Sequence, residues 1–328
     1  MTYFPVSVAP MVDRTDRHFR HFLRLLAPKT ILYTEMVTSP AIIHGPRDYL
    51  LGYSPVEHPL VLQLAGDDPE ELRRVVEIAD PWNYDEINLN CGCPSDKVQE
   101  AHFGACLMAE PKLVASVVKA MTQGTSKPIT VKHRIGIRGK ETYEEMRDFA
   151  LACSDAGASR LIIHARIAIL EGLSPKENRT VPPLRYEDVY RLKQEHPELK
   201  IEINGGILTP EDVVAHLKYV DGVMIGRAAY DNPYVLTKIE RALTGEPLEH
   251  ITRRWILEQM IPYVEEWEGK DVWWHRIMMH LHGLFAFHKG TKKWKQILSP
   301  PFKKFASGVD AIKLALDTLP AEVLDSRE

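Results

Sequence analysis

Seven places in the chain set a polar or bare residue directly after an apolar run, where it could do chemistry. They hold Met11, Gln63, Asn90 with Cys93, Lys132 with Arg134, His164 with Arg166, Asn204-Gly205-Gly206, and Gly226-Arg227. Cys93 lies in Asn90-Cys-Gly-Cys-Pro-Ser-Asp96, where Gly92 and Pro94 hold it on a tight turn. A free thiol titrates near ~8.5 and is mostly protonated at neutral pH. Such a group can give a proton to carbon as a general acid, without a metal or an oxidant. The alternative is a small buried hydrophobe, the fate of most free cysteines. That second reading is given to Cys153, inside a helical pattern, and to Cys91 and Cys106. One residue separates Cys91 from Cys93, which is no zinc-ligand spacing, so no metal site is expected.

Asn204-Gly205-Gly206 lets backbone N–H groups approach a phosphate closely. Gly226-Arg227 adds a second bare loop and a guanidinium suited to a bidentate phosphate contact. The alternative is that these glycines only turn the chain. Lys132 and Gln63, at strand ends, would point into one common mouth. A lysine there can stabilise negative charge on the N1–O2 edge of a reduced flavin, or it can form an ion pair with a neighbouring strand.

These residues need a scaffold that brings strand ends together. Short β-branched runs begin at Val6, Ile31, Leu60, Glu86, Ile129, Leu161, Lys200 and Gly222, and most are followed by a helical pattern. Asp67–Asp80 opens with acids and a first-turn proline, as helix starts do, and Pro111–Thr122, Thr142–Ala156 and Pro210–Tyr219 read similarly. The runs are nearly continuous in apolar residues, as expected of strands buried on both faces. Eight such units predict a (β/α)₈ TIM barrel, with a doubly wound open sheet as the rival. Catalytic groups of such barrels sit at the C-terminal strand ends, and the loops after the seventh and eighth strands commonly bind phosphate. The segment from Leu170 to Leu199 is long for a connection, which marks it as functional. After Gly245 the alternation stops. Thr252–Trp267, Val272–Phe287, Thr291–Leu298 and Val309–Thr318 predict helices. The expected division is a catalytic barrel over 1–245 and an all-helical domain over 246–328.

The chain has 328 residues, 45% hydrophobic and 26% charged, which suits a water-soluble globular protein. Its start has no basic segment leading into an apolar run, and no stretch approaches the ~18 apolar residues of a membrane span. A cytoplasmic location without membrane contact is therefore expected, with the four cysteines reduced. From His275 to Lys313 there are eight lysines and arginines and one acid, Asp310, a net of +7 on a chain of net −4, leaving −11 elsewhere. A local basic segment on an acidic chain points to a polyanion partner for that region. Its lysines interleave with Trp294, Phe302 and Phe305, which suits RNA, although Trp294 and Phe305 also suit a small core. His275, His280, His282 and His288 fit no metal-ligand spacing.

At these residues the chain resembles the tRNA-dihydrouridine synthases, and within them the A group. The most specific stretch runs from Asn88 to Gln99 and on through Phe103-Gly-Ala-Cys-Leu-Met108. Ala9-Pro10-Met11, Val131-Lys-His-Arg134, Ile163-His-Ala-Arg166, the segment Gly172–Arg179, Ile203-Asn-Gly-Gly206 and Ile225-Gly-Arg227 add to it. His282-Gly-Leu-Phe285 and Lys292-Lys-Trp-Lys295 resemble the family's helical-domain motif.

The resemblance implies FMN in the barrel, NADPH as electron donor and a D-loop uridine of tRNA as substrate. It implies that Pro10, Met11, Gln63, Lys132, His164, Asn204, Gly205, Gly206, Gly226 and Arg227 hold FMN and that Cys93 is the proton donor. Asn90, Lys176 and Arg179 would meet the target nucleotide or its neighbours, and Lys292 and Lys295 the tRNA backbone. Two departures stand out. Ile167 follows Arg166 where many relatives are polar, and lysines replace arginines in the helical motif, keeping charge but losing the bidentate fork. The barrel motifs alone also fit a flavin reductase of a free pyrimidine or enone, against which the basic helical segment argues. An RNA-binding module on a degenerate barrel is a further alternative. No oligomeric state is read from the sequence, and a monomer is the default.

Overall fold

The structure is a computed structural model that describes residues 4–298 and 307–327. Phe302, Lys303, Lys304 and Phe305 of the basic stretch lie outside the described residues. Eight parallel strands form one sheet: β1 (Val6–Val8), β2 (Leu32–Thr38), β3 (Leu60–Ala65), β4 (Glu86–Cys91), β5 (Ile129–Arg134), β6 (Arg160–His164), β7 (Ile201–Asn204) and β8 (Gly222–Ile225). β1 pairs with β8. The ring closes on its other side through Ile31, whose N–H donates to Val6 O at 3.0 Å and whose carbonyl accepts from Val8 N–H at 2.9 Å. The barrel predicted from the alternation is the one observed, and the open-sheet rival is excluded by this closure.

Chain polarity builds the surrounding helices. Pro69–Ala79 starts on Asp68, which accepts from Glu71 N–H at 2.7 Å. Tyr143–Asp155 starts on a reciprocal Thr142/Glu145 cap, and Pro210–His216 on Thr209/Asp212. Each buries its apolar stripe, for example Leu72, Val75, Val76 and Ala79.

Strand pleating sends alternate residues inward. Near the N-terminal ends these are charged. Arg160 reaches Glu86 at 2.7 Å, Glu202 at 3.2 Å and the Tyr33 hydroxyl at 3.1 Å, while Ser7 donates to Glu202. Beside them Ala9, Ile31, Tyr33, Val61, Ile162 and Met224 form one buried apolar cluster.

Compact packing groups residues Met1–Val12 with Ile31–Gly226, and Asp13–Thr30 with Arg227–Glu328. The second unit therefore includes the helix Arg17–Leu26 and the helices Arg227–Asp231 and Val235–Thr244, besides those after residue 245. Its core is built on Trp294, fully buried with its indole N–H on Leu281 O at 2.8 Å, packed against Phe285. Helices Arg253–Glu268, Thr291–Ile297 and Gly308–Thr318 match expectation. The single helix expected over Val272–Phe287 does not form. The chain makes the short helix His275–Met278, a 3₁₀ turn Met279–Gly283 and then irregular turns. The cause is tertiary: Ile277, Met278, Leu281, Leu284 and Phe285 are all fully buried, and Gly283 lies so close to the Tyr230 carbonyl that a Cβ would approach it to 2.6 Å. No helix among the described residues is long and apolar enough to cross a membrane.

The Arg160 network generates a stability prediction. Arg160→Met removes the one cation that bridges two enclosed carboxylates, and truncating a buried pair costs about 3–5 kcal/mol. Urea unfolding of the purified variant should show a correspondingly lower midpoint; an unchanged midpoint would mean that the network is dispensable.

Candidate active site

A connected set of side-chain amides runs along the barrel wall from β5 toward the C-terminal end of β4. Asn88 Nδ2 donates to Thr130 Oγ1 at 2.9 Å, and Gln63 Nε2 donates to Asn88 Oδ1 at 2.8 Å. Asn90 Nδ2 then donates to Gln63 Oε1 at 3.0 Å. With its nitrogen so engaged, Asn90 turns its oxygen to the loop after β4. That oxygen accepts from the backbone N–H of Gly92 at 3.1 Å and of Cys93 at 3.0 Å. One buried side chain thus fixes the turn that carries the thiol.

Two further contacts hold this turn. The Cys93 carbonyl accepts from Ala105 N–H at 2.9 Å. Gly104, at φ 75°, makes the approach possible, since a Cβ there would stand 2.5 Å from that carbonyl oxygen. Arg134, 4% exposed, donates from Nε to Gly92 O at 2.9 Å and from Nη1 to Ile167 O at 3.0 Å and Asn178 O at 3.1 Å. One guanidinium therefore ties the cysteine turn to the long loop after β6. Asn178, fully buried, closes that loop by accepting from Ile169 N–H at 2.8 Å and donating to Ile169 O at 2.9 Å. Cys93 is half-buried, whereas Cys91 and Cys153 are buried and burial pushes both thiols up. Cys106, expected to be buried, is only partly so.

Next to this turn stands a cationic group. Lys132 pairs in register with Asn90 and donates from Nζ to Asn204 Oδ1 at 3.2 Å. Asn204 in turn donates to Met224 O at 2.8 Å. Burial, and then the charge of Arg134, lowers the Lys132 ammonium to about 8. His164 pairs in register with both Arg134 and Asn204. Burial holds its imidazole well below the usual range, and Arg134, Lys132, Arg166 and Arg179 add to the effect, so the ring is neutral. Its Nδ1 is enclosed without a hydrogen-bond partner among the described residues.

The loop after β7 runs through Gly205 and Gly206 at φ 117° and 73°, conformations that favour glycine. Tyr186 donates its hydroxyl to Gly205 O at 2.6 Å and anchors the loop from behind. Beyond Gly226 there is open space that a Cβ would not fill. Arg227, the next residue in the chain, opens the short helix Arg227–Asp231.

Gln63, Asn90, Cys93, Lys132, His164, Asn204, Gly205, Gly206 and Gly226 therefore all belong to one end of the barrel. Pro10 and Met11 follow β1, half-buried, and Lys176 and Arg179 are exposed on the loop after β6. Lys292 and Lys295 are exposed on the helix Thr291–Ile297 of the second unit. Sequence reasoning named Arg134 only as a strand-end residue and missed its clamp, the closure by Asn178 and the Tyr186 anchor. The last two carry no periodic signal. Two of the four histidines noted in the sequence lie against protein groups: His280 Nε2 is 3.1 Å from Asp16, and His288 Nε2 accepts from Arg253 at 2.7 Å. Among the described residues no group of three or more His, Cys, Asp or Glu side chains could hold a metal ion.

The family model described as dihydrouridine synthase (Dus) matches residues 7–317. A tRNA-dihydrouridine(20/20a) synthase of Synechocystis sp. is 51% identical over 312 residues, covering 95% of this chain and 93% of that protein. Proteins of the same name from Xanthomonas campestris pv. campestris and Shewanella oneidensis are 50% and 47% identical, covering 94% and 97% of this chain and 92% and 95% of their own lengths. With a family match from the first strand to the last long helix, and relatives about half identical along nearly all of its length, the chain belongs to the dihydrouridine synthase family and is a flavin-dependent oxidoreductase.

Proposed function

We propose that this protein reduces the C5=C6 bond of D-loop uridines in tRNA, at the positions 20 and 20a that its relatives' names carry, with FMN bound in the barrel and NADPH as electron source. The observation that carries this reading is the Asn90 side chain, which holds the Cys93 turn on the same barrel mouth as the Lys132–Asn204 pair. A proton donor and a cation then share one end of the barrel.

The residues present fit a flavin. His164 offers an enclosed ring nitrogen in need of a partner, Gly226 leaves open space, and Gly205 and Gly206 present bare backbone. Pro10, Met11, Gln63, Lys132, His164, Asn204, Gly205, Gly206 and Gly226, with Arg227 adjoining in the chain, would hold FMN. When bound, the flavin would supply the hydride, from its N5, for C6 of the uracil. Lys132 would stabilise the negative charge that the flavin ring gains on reduction. Cys93 gives its thiol proton to C5 and recovers one from solvent, so that the base gains one hydride and one proton. Lys176 and Arg179 would position the nucleotide, and Asn90 would act on it through the Cys93 turn that it holds; the base has to leave its stack to be reached, at a cost of about a few kcal/mol. Lys292 and Lys295 offset part of that cost by neutralising tRNA phosphates. The reading implies a catalytic barrel over 1–245, a tRNA-binding helical domain over 246–328 and a cytoplasmic monomeric enzyme.

Cys93→Ala should retain FMN, seen by its visible absorbance, and should accept electrons from NADPH, yet form no dihydrouridine in unmodified tRNA. Full turnover by this variant would remove Cys93 from the reaction, and a protein that takes up no flavin would remove the whole reading. A second prediction uses the low Lys132 pKa. The charged form carries FMN affinity, so binding should be full at neutral pH and weaken as pH rises through about 8. Lys132→Met should weaken FMN binding by about tenfold to a hundredfold, the worth of one charge-assisted hydrogen bond, and abolish that pH dependence. Fluorescence titrations of free FMN against both proteins check it, and a flat profile for the unaltered protein contradicts it.

A further inference from the structure

Phe287 is 93% exposed and holds a backbone φ of 66°, in the left-handed region that is strained for a bulky residue. The chain bears two costs there at once: an apolar ring left in water and a disfavoured backbone. The loop around it is nevertheless firmly tied. The Thr291 hydroxyl sits between two carbonyls, Phe285 O and, at 2.6 Å, His288 O, and its one hydrogen is shared between them. Arg253, 1% exposed, donates to Leu284 O at 2.9 Å and to His288 Nε2 at 2.7 Å, and its guanidinium lies 4.1 Å from the centre of the Tyr234 ring. The phenyl ring is therefore presented on an anchored support. Lys289, Lys292, Lys293 and Lys295, all exposed, follow it within eight residues, and no acid occurs between residues 272 and 309.

An apolar ring set among lysines calls for a partner with a flat apolar face and flanking negative charge. An unpaired RNA base with its neighbouring phosphates has both, and a duplex, whose bases are covered by their own stacks, does not. We propose that Phe287 is a stacking platform for an unpaired base of the tRNA, with the lysines of the adjacent helix taking the phosphates on either side. The proposal rests on the reading that tRNA is the substrate, and it adds a contact made by shape and π-stacking to those made by charge.

The test uses the FMN-loaded full chain and an unmodified tRNA transcript, with dissociation constants measured over a series of salt concentrations and thermal midpoints measured alongside. Phe287→Gly relieves the backbone strain, so the midpoint should rise while tRNA affinity falls about tenfold, the scale of one lost stacking contact. The slope of log affinity against log salt should stay as it was, because no phosphate contact is removed. Lys292→Ala with Lys295→Ala should instead flatten that slope by about one to two units. Phe287→Trp should bind at least as tightly as the original. A Phe287→Gly variant with undiminished tRNA affinity overturns the proposal, whatever its midpoint. So does one that keeps tRNA affinity but loses self-association in sedimentation, which would make the ring a contact between copies. If the unaltered protein itself binds no tRNA, the substrate reading falls first, and this inference falls with it.

Discussion

The Asn90 carboxamide is the interaction on which the site depends. Its nitrogen is committed to Gln63, which is committed to Asn88, which is committed to Thr130. A carboxamide with one end fixed cannot flip without breaking a buried bond, and an unmet buried polar group costs about 1–3 kcal/mol. Its oxygen therefore always faces the backbone N–H groups of Gly92 and Cys93. The position of a thiol on a loop is thus set by three neighbouring strands, β3, β4 and β5, because the support is part of the barrel wall and not of the loop.

The barrel interior sorts its charges by height. Glu86, Glu202 and Arg160 neutralise one another toward the N-terminal ends of the strands, with a buried apolar cluster beside them. Lys132, Arg134, Arg166 and Arg179 act together on His164 at the other end. A mouth of this kind is poised for anions: cations accumulate there, burial lowers the Lys132 ammonium, and the neutral His164 ring keeps a nitrogen without a partner.

The helical unit follows a different logic. Trp294, Phe285 and Leu281 turn their apolar side chains into one core, whereas Lys292, Lys293 and Lys295 on either side of that tryptophan face solvent. A basic helix of seven residues is stable here because its buried face is a tryptophan with its indole N–H satisfied, and not through propensity. Asp16 serves in a similar double way: it caps the helix Arg17–Leu26 and lies beside the buried His280.

Local chemistry alone determined a good deal of this protein. The eight strands could be read because both of their faces are buried and their apolar runs are short and regularly spaced. Cys93, Lys132, Asn204 and the glycine loops could be read because strand polarity puts the end of every run at the same mouth. The resemblance supplied the roles. Only the tertiary structure decided what holds those groups still. Arg134 reaching Gly92 and Asn178, Asn178 closing its own loop, and Tyr186 behind Gly205 each join residues that local pattern does not relate. The broken helix after Val272 and the positive φ at Phe287 belong to the same class. Periodicity reports which face of an element is apolar, whereas a close approach to another element, such as Gly283 against Tyr230, depends on the packed fold as a whole.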